Sequence, residues 1–331
     1  MKKFAAFLIV VLAIGGAYLY LLNRLSQPWK GFTDPVLIEF PRGTGTTRMA
    51  SILAEKGVIE HPWLFMAARV IRRGARLQAG EYQFSKAASP LDIFARIERG
   101  DIFYMELLIP EGFNMFDVAD AVAGLGAISA GTFLDAARDP SPIRDLDPKA
   151  KTLEGYLFPN KYRVYRRTTA REICRMMTSE FRSEWQTVAS GANSVHDTVT
   201  LASLVEREAR LPEERPRVAS VFGNRLRIGM RLQCDPTTVY AALLENRYRG
   251  VIHQSDLDSE NPYNTYRHAG LPPGPIANPG LSSIRAVLSP EDTPYLFFVA
   301  KADGSGGHTF SGSLQQHDVA VAQYHRRASA H

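Results

Sequence analysis

Nineteen uncharged residues in a row, 4–22, constrain this chain more than any other feature. At about 1.5 Å of rise per residue, a helix of that length comes close to the roughly 30 Å hydrocarbon core of a bilayer. A cleaved signal peptide is the competing reading. Its apolar region is typically shorter and its small residues gather at the end, whereas Ala13, Gly15 and Ala17 fall inside this run. An uncleaved anchor over 1–25 is therefore expected. Lys2 and Lys3 precede the run while Arg24 and Lys30 follow it, so the positive-inside count leans only slightly toward an inside N-terminus. In that orientation everything after the anchor lies outside the cytoplasm and has to work without ATP.

At 331 residues the chain exceeds the roughly 100 to 200 of a single domain, so more than one folded unit should follow the anchor. Hydrophobic content of 45% and charged content of 22% are those of an ordinary globular chain, which sets disorder aside. The net charge of +5 is thinly spread, and its local cluster at Arg72, Arg73 and Arg76 reads as a solvated face, with no nucleic-acid partner expected. Cys174 and Cys234 stand sixty residues apart with no CxxC spacing, so neither a metal nor a cofactor is expected.

A polar linker over 26–35 leads to a module with an internal repeat. A shift of 69 positions aligns Pro41 with Pro110, Gly43 with Gly112, Ala50 with Ala119, Gly57 with Gly126 and Ile59 with Ile128. It also aligns Ala67, Ala68 and Arg69 with Ala136, Ala137 and Arg138. Each copy reads as a short strand (37–40 and 106–109), a Pro-x-Gly turn and a helix with apolar residues at helical spacing. Between the copies, 77–84 reads as a strand and 90–99 as an amphipathic helix. Such units resemble LysM modules, which bind the N-acetylated sugars of peptidoglycan; a packing scaffold without sugar contact is the equal alternative.

The expected fold class is α+β: an N-terminal transmembrane helix, a LysM-like α/β module with duplicated units over 36–145, and a mixed α+β catalytic domain over 150–331. Within the last, helices are expected over 170–188, 197–210 and 216–226. A proline-rich, stiff loop occupies 261–280, and strands over 295–300 and 308–311 flank a glycine-rich connection.

One side chain breaks its pattern. Leu201, Leu204 and Val205 define the apolar face of the 197–210 helix, and steps of seven, four and three residues bring Glu208 onto that face. Glu206, rotated by about 200°, falls with Ala202 and Ser203 on a side expected to be exposed. Burial disfavours a carboxylate, so Glu208 should hold its proton to higher pH than a free glutamate, as a general acid must. The bland alternative is a structural ion pair with Arg225, Arg227 or Arg231. Asn224, Gln233, Asp235, Tyr263, Asn264, Tyr266 and His308 add polar and aromatic types that line sugar clefts.

LASLVEREA from Leu201, VASVFGNRLRIGMRLQCDPTTVY from Val218, YNTY from Tyr263, GLPPGPIANPG from Gly270 and GGHTF from Gly306 together resemble the endolytic murein transglycosylase family, MltG or YceG-like. AGEYQF at Ala79 and LEGYLFP at Leu153 extend the resemblance to nearly the whole chain. It implies an inner-membrane protein whose bulk is periplasmic and which cuts the MurNAc to GlcNAc β-1,4 bond of nascent peptidoglycan, ending strand elongation near the synthases. It places the family's essential glutamate on Glu208. Asn160 and Lys161 depart from the more usual Asp and Thr, and Cys234 stands where Thr is usual.

The chemistry expected is lytic: Glu208 protonates the leaving oxygen and then takes the proton of the C6 hydroxyl, which closes on C1. Gln233, Tyr263, Asn264, Tyr266, His308 and Phe310 are expected to bind the sugar. The rivals are a muramidase that uses water with Asp235 or Glu206 as second carboxylate, a peptidoglycan-binding scaffold without activity, and a pyridoxal-phosphate lyase, which the exported position disfavours.

Overall fold

A computed structural model of the chain describes residues 2–189 and 194–328; Met1, 190–193 and 329–331, which belong to the expected anchor and catalytic domain, lie outside the described residues. Helix α1 (Lys2–Ser26) is long and apolar enough to cross a membrane, and its stretch over 3–20 is exposed. Only its C-terminal end meets the fold. There Leu25 is fully buried and Arg24 pairs with Glu60.

The backbone divides into two compact units, Met1–Tyr104 and Met105–His331. In the first, α1 is followed by β1 (Val36–Phe40), α2 (Thr46–Glu55), α3 (Pro62–Ile71), β2 (Gly80–Phe84) and α4 (Pro90–Arg99). Strands β1 and β2 pair antiparallel with Ile38 opposite Tyr82. Strand alternation turns Ile38, Phe40, Tyr82 and Phe84 to one face, where they pack with Leu53, Phe65 and Phe94 from the helices. Both ends of α4 are written in its sequence. Ser89 and Asp92 form a capping box, Pro90 opens the first turn, and Gly100 ends the helix in a left-handed conformation at φ 72°.

The second unit holds β3 (Met105–Leu108), α5 (Met115–Ala123), α6 (Ala130–Ala137), β4 (Lys161–Val164) and α7 (Ala170–Val188). Then come α8 (Val195–Glu208), a 3-10 turn at Pro212–Glu214, α9 (Arg215–Arg227), α10 (Asp235–Leu244), α11 (Gln254–Leu257) and α12 (Leu281–Leu288). β5 (Phe297–Ala300), β6 (His308–Ser311) and α13 (Leu314–Ala328) complete it. The whole is a mixed α+β fold with an apolar N-terminal helix. β5 and β6 form the hairpin expected around the glycine-rich connection, with β5 starting two residues later than read from sequence. The two sequence copies, β1-α2-α3 and β3-α5-α6, keep the same element order but fall on opposite sides of the unit boundary. β3 pairs not within the expected module but with β4, Leu107 opposite Tyr162. Helix α8 occupies the middle of this unit, packed on α9, α10 and α12.

Candidate active site

Helix α8 starts on the Ser194 hydroxyl, which accepts from the Asp197 amide at 3.2 Å, and it stops at Glu208 because Ala209 turns extended at φ −85°, ψ 99°. Leu204 and Val205 are fully buried, and Glu208, one turn on, is half-buried at the end of the same face. Burial raises the Glu208 carboxyl above its ordinary range, and the nearby Asp235 charge pushes the same way. A hydrogen bond from the Cys234 thiol and the charges of His308 and Arg225 oppose this without reversing it. Among the described residues Glu208 makes no ion pair. Arg225 spends its guanidinium on backbone carbonyls, donating to Leu296 and Leu232 at 2.6 Å each. Arg227 turns to Asn224, and Arg231 donates to the Tyr266 carbonyl at 3.2 Å. The structural ion pair expected as the bland alternative is not formed.

Several side chains named from sequence gather around this carboxyl. Tyr266 donates its hydroxyl to Asp235 at 2.5 Å, and both act electrostatically on the Cys234 and Glu208 pair. His308 is held from behind: its amide donates to Glu214 at 3.0 Å, and its Nδ1 lies 2.7 Å from the same carboxylate. A carboxylate only accepts, so Nδ1 carries the hydrogen and Nε2 is not used in that contact. Phe310 enters through the ring cluster it forms with His308, Phe298 and Tyr295 at centroid distances of 6.2, 6.1 and 5.8 Å. Gln233 exposes its side chain beside Cys234, while its backbone sits at φ 48°, a region unfavourable for any residue but glycine, and donates to the Thr265 carbonyl at 3.2 Å.

Two residues serve elsewhere. Asn264 is fully buried, donating to the carbonyls of Leu257 and Ser259 at 2.9 and 2.7 Å and accepting from the Tyr266 amide at 3.0 Å. This corrects the sugar-binding expectation. An irregular loop must satisfy its own buried carbonyls, and Asn264 does so with no surface left for a saccharide. Tyr263 packs half-buried on Tyr240 at 5.1 Å, and burial together with the Glu154 charge pushes its hydroxyl up to about 12.

Glu206 is a second correction. Expected on an exposed side, its side chain is 4% exposed and accepts from Arg215 at 2.8 Å, the Gly280 amide at 3.0 Å and the Ser283 hydroxyl at 2.8 Å. Its neighbours Ala202 and Ser203 are fully buried. Helix α8 has no single buried face, because α9, α10 and α12 cover it from several sides. Sequence reasoning missed Glu214, which lies 94 positions from His308 and carried no signal. The Cys234 thiol, pushed well up by burial and by Glu208, was noticed only as a departure from Thr.

The model of the YceG-like family matches residues 38–323. The chain belongs to that family. A curated family relative, the endolytic murein transglycosylase of Bacillus subtilis (strain 168), is 34% identical over 95% of this chain and 91% of its own length. The endolytic murein transglycosylase of Streptococcus pneumoniae serotype 2 (strain D39 / NCTC 7466) is 27% identical over 98% of this chain, which spans 65% of that longer relative. The crystal structure of a yceG-like protein from Listeria monocytogenes superposes with a TM-score of 0.56 at 32% identity, covering 87% of this chain and 99% of its own.

Proposed function

We propose that this chain is an endolytic lytic transglycosylase that cuts the MurNAc to GlcNAc β-1,4 bond of nascent peptidoglycan, with Glu208 as acid and then base. One observation carries the reading. Glu208 is a half-buried carboxyl that burial pushes toward its protonated form, free of ion pairs, at the end of a rigid helix. The names borne by the relatives support the same activity and substrate.

In this mechanism protonated Glu208 gives its hydrogen to the glycosidic oxygen. The leaving sugar departs as the C6 hydroxyl of the MurNAc closes on C1 and returns its proton to Glu208, giving a 1,6-anhydro end. No water is consumed, so the second carboxylate of a hydrolase is not needed. Tyr266, His308, Gln233 and Phe310 are the candidates for binding sugar, supported by the hydrogen bonds with which Asp235 and Glu214 hold the first two. Glu208→Gln should abolish anhydro products from uncrosslinked glycan while the protein remains folded; wild-type turnover in that variant would refute the role.

A water-using muramidase is the second reading, because Asp235 stands close enough to Glu208 to act on it electrostatically. Mass spectrometry separates the two, since hydrolytic ends are heavier by one water.

The same reading places α1 as a single-pass anchor in the inner membrane, with both units periplasmic beside the peptidoglycan synthases. The first unit and the β3-α5-α6 segment are read as LysM-like copies, supported by their shared element order at an offset of 69. Proteolysis of intact spheroplasts tests the placement: both units should be digested from outside.

A further inference from the structure

A cavity of 390 Å³ in the second unit lies along α6 and α7, and none of its lining residues belongs to the Glu208 cluster. Arg171, Arg175 and Arg182 line it together with Asp139, Ser141 and Ser179. An adjoining depression of 350 Å³ shares Ala136 and Arg171 with it and extends past Thr132 and Thr169, so the two form one groove. Arg182 is committed, donating to the Pro142 carbonyl at 2.7 Å and pairing with Asp145. Arg171 and Arg175 are exposed and their side chains make no hydrogen bond or ion pair among the described residues, although Arg171 acts on the Asp139 charge and Arg175 on that of Glu172.

Those two arginines stand four residues apart on α7, hence on one face, and both open into the groove. Arg171 sits in the first turn of α7, where the helix dipole disfavours a cation, so helix stability does not account for it. The groove's carboxylates are Asp139, which accepts from the Ser141 amide at 3.1 Å, and Asp135, which pairs with Arg138 at 3.0 Å. Three arginines against two carboxylates leave the lining net positive, and the forks of Arg171 and Arg175 hold no hydrogen bond, the shape that recognises carboxylates, beside hydroxyls that suit amide groups.

We propose that this groove binds the acidic peptide stems that peptidoglycan carries on its muramic acid residues, with Arg171 and Arg175 pairing their free carboxylates. The inference rests on the transglycosylase reading for its substrate and extends it to a part of the molecule that Glu208 does not reach. α7 packs on α12, and α12 packs on α8, so the groove and the catalytic helix belong to one packed body.

The test uses the full chain in detergent and uncrosslinked glycan strands, either bearing their peptides or stripped of them by an amidase. The wild type should show a KM about tenfold lower on peptide-bearing strands, the scale of a charge-assisted contact. Arg171→Ser combined with Arg175→Ser should erase that preference by raising KM on peptide-bearing strands, with kcat and all behaviour on stripped strands unchanged. Equal KM on both substrates in the wild type, or a variant impaired on both alike, overturns the proposal. Calorimetric titration with the free stem tripeptide should give binding to the wild type and none to the variant. Binding of inorganic phosphate without binding of the peptide overturns it too. Should the wild type cleave neither substrate, the transglycosylase reading fails, and the titration alone decides the groove.

Discussion

Glu154 gives the chain a pH-dependent stability that a single substitution should remove. Its carboxyl is 2% exposed and joins three elements, accepting from the Met115 amide at 2.8 Å and the Asn278 amide at 3.0 Å and meeting the Tyr240 hydroxyl. Burial outweighs those donors and lifts it from 4.5 to about 8. Below the unfolded value both states hold the proton and nothing is gained or lost. As pH rises, the unfolded chain ionises first, so stability falls until pH passes the folded value. Between pH 5 and pH 8 that loss integrates to about 3 kcal/mol at 1.36 kcal/mol per pKa unit. Glu154→Gln removes the charge and with it this slope. The assay is urea unfolding followed through Trp185, buried at 4% in the second unit, in a background with Trp29 and Trp63 replaced by Phe. The stability of the variant relative to the parent should climb by about 3 kcal/mol from pH 5 to pH 8. A difference that stays constant across the window refutes the argument.

Two further substitutions test the assignments around α8. Glu206→Gln leaves Arg215, whose side chain is 10% exposed, with Glu111 at 3.3 Å and the Ser282 hydroxyl, and should destabilise the second unit by about 3 kcal/mol in urea while kcat per folded molecule holds. Loss of activity at full stability would instead make Glu206 a reacting carboxylate. Gln233→Gly relieves the backbone strain at φ 48° and should raise the unfolding free energy in urea by up to about 1 kcal/mol, while KM rises through loss of the exposed amide; an unchanged KM removes Gln233 from the sugar-binding set.

Where local chemistry decides, the sequence is a reliable guide. The bounds of α4 and α7 follow from capping boxes, Ser89 with Asp92 and Thr169 with Glu172, together with apolar spacing. β4 escaped notice because KYRV carries two charges, although its alternation, with Tyr162 and Val164 inward, is a strand pattern. Partners distant in sequence left no trace. His196 stands between Asp147 at 2.7 Å and the Pro273 carbonyl at 3.1 Å, partners 49 and 77 positions away from it. Nothing at any of these positions alone announces that contact. Asn264 was misread for a related reason: the polar side chain expected to face a sugar is the one the loop consumes to satisfy its own backbone.

The two carboxylates of α8 are separated by a rotation of about 200° and by different partners, although burial raises both. Glu206 receives an arginine, an amide and a hydroxyl, whereas Glu208 lies at the helix C-terminus, where the macrodipole presents partial negative charge. Burial, dipole and the nearby Asp235 charge all oppose ionisation there, and among the described residues no cation forms an ion pair with it, His308 and Arg225 acting only through their charge. Each local preference would put an apolar or basic side chain at that position. Consistent violation of local rules at one residue is what a reacting group looks like, since its environment is tuned to the reaction rather than to the fold. The corollary is measurable. Glu208→Gln should be the more stable protein at neutral pH, by at least the roughly 0.3 to 1 kcal/mol of an unfavourable terminal charge, with an advantage that grows as pH climbs above the ordinary glutamate range. If the variant is less stable at every pH, the carboxylate is a structural anchor, and its half-buried place at the helix end has to be explained by packing.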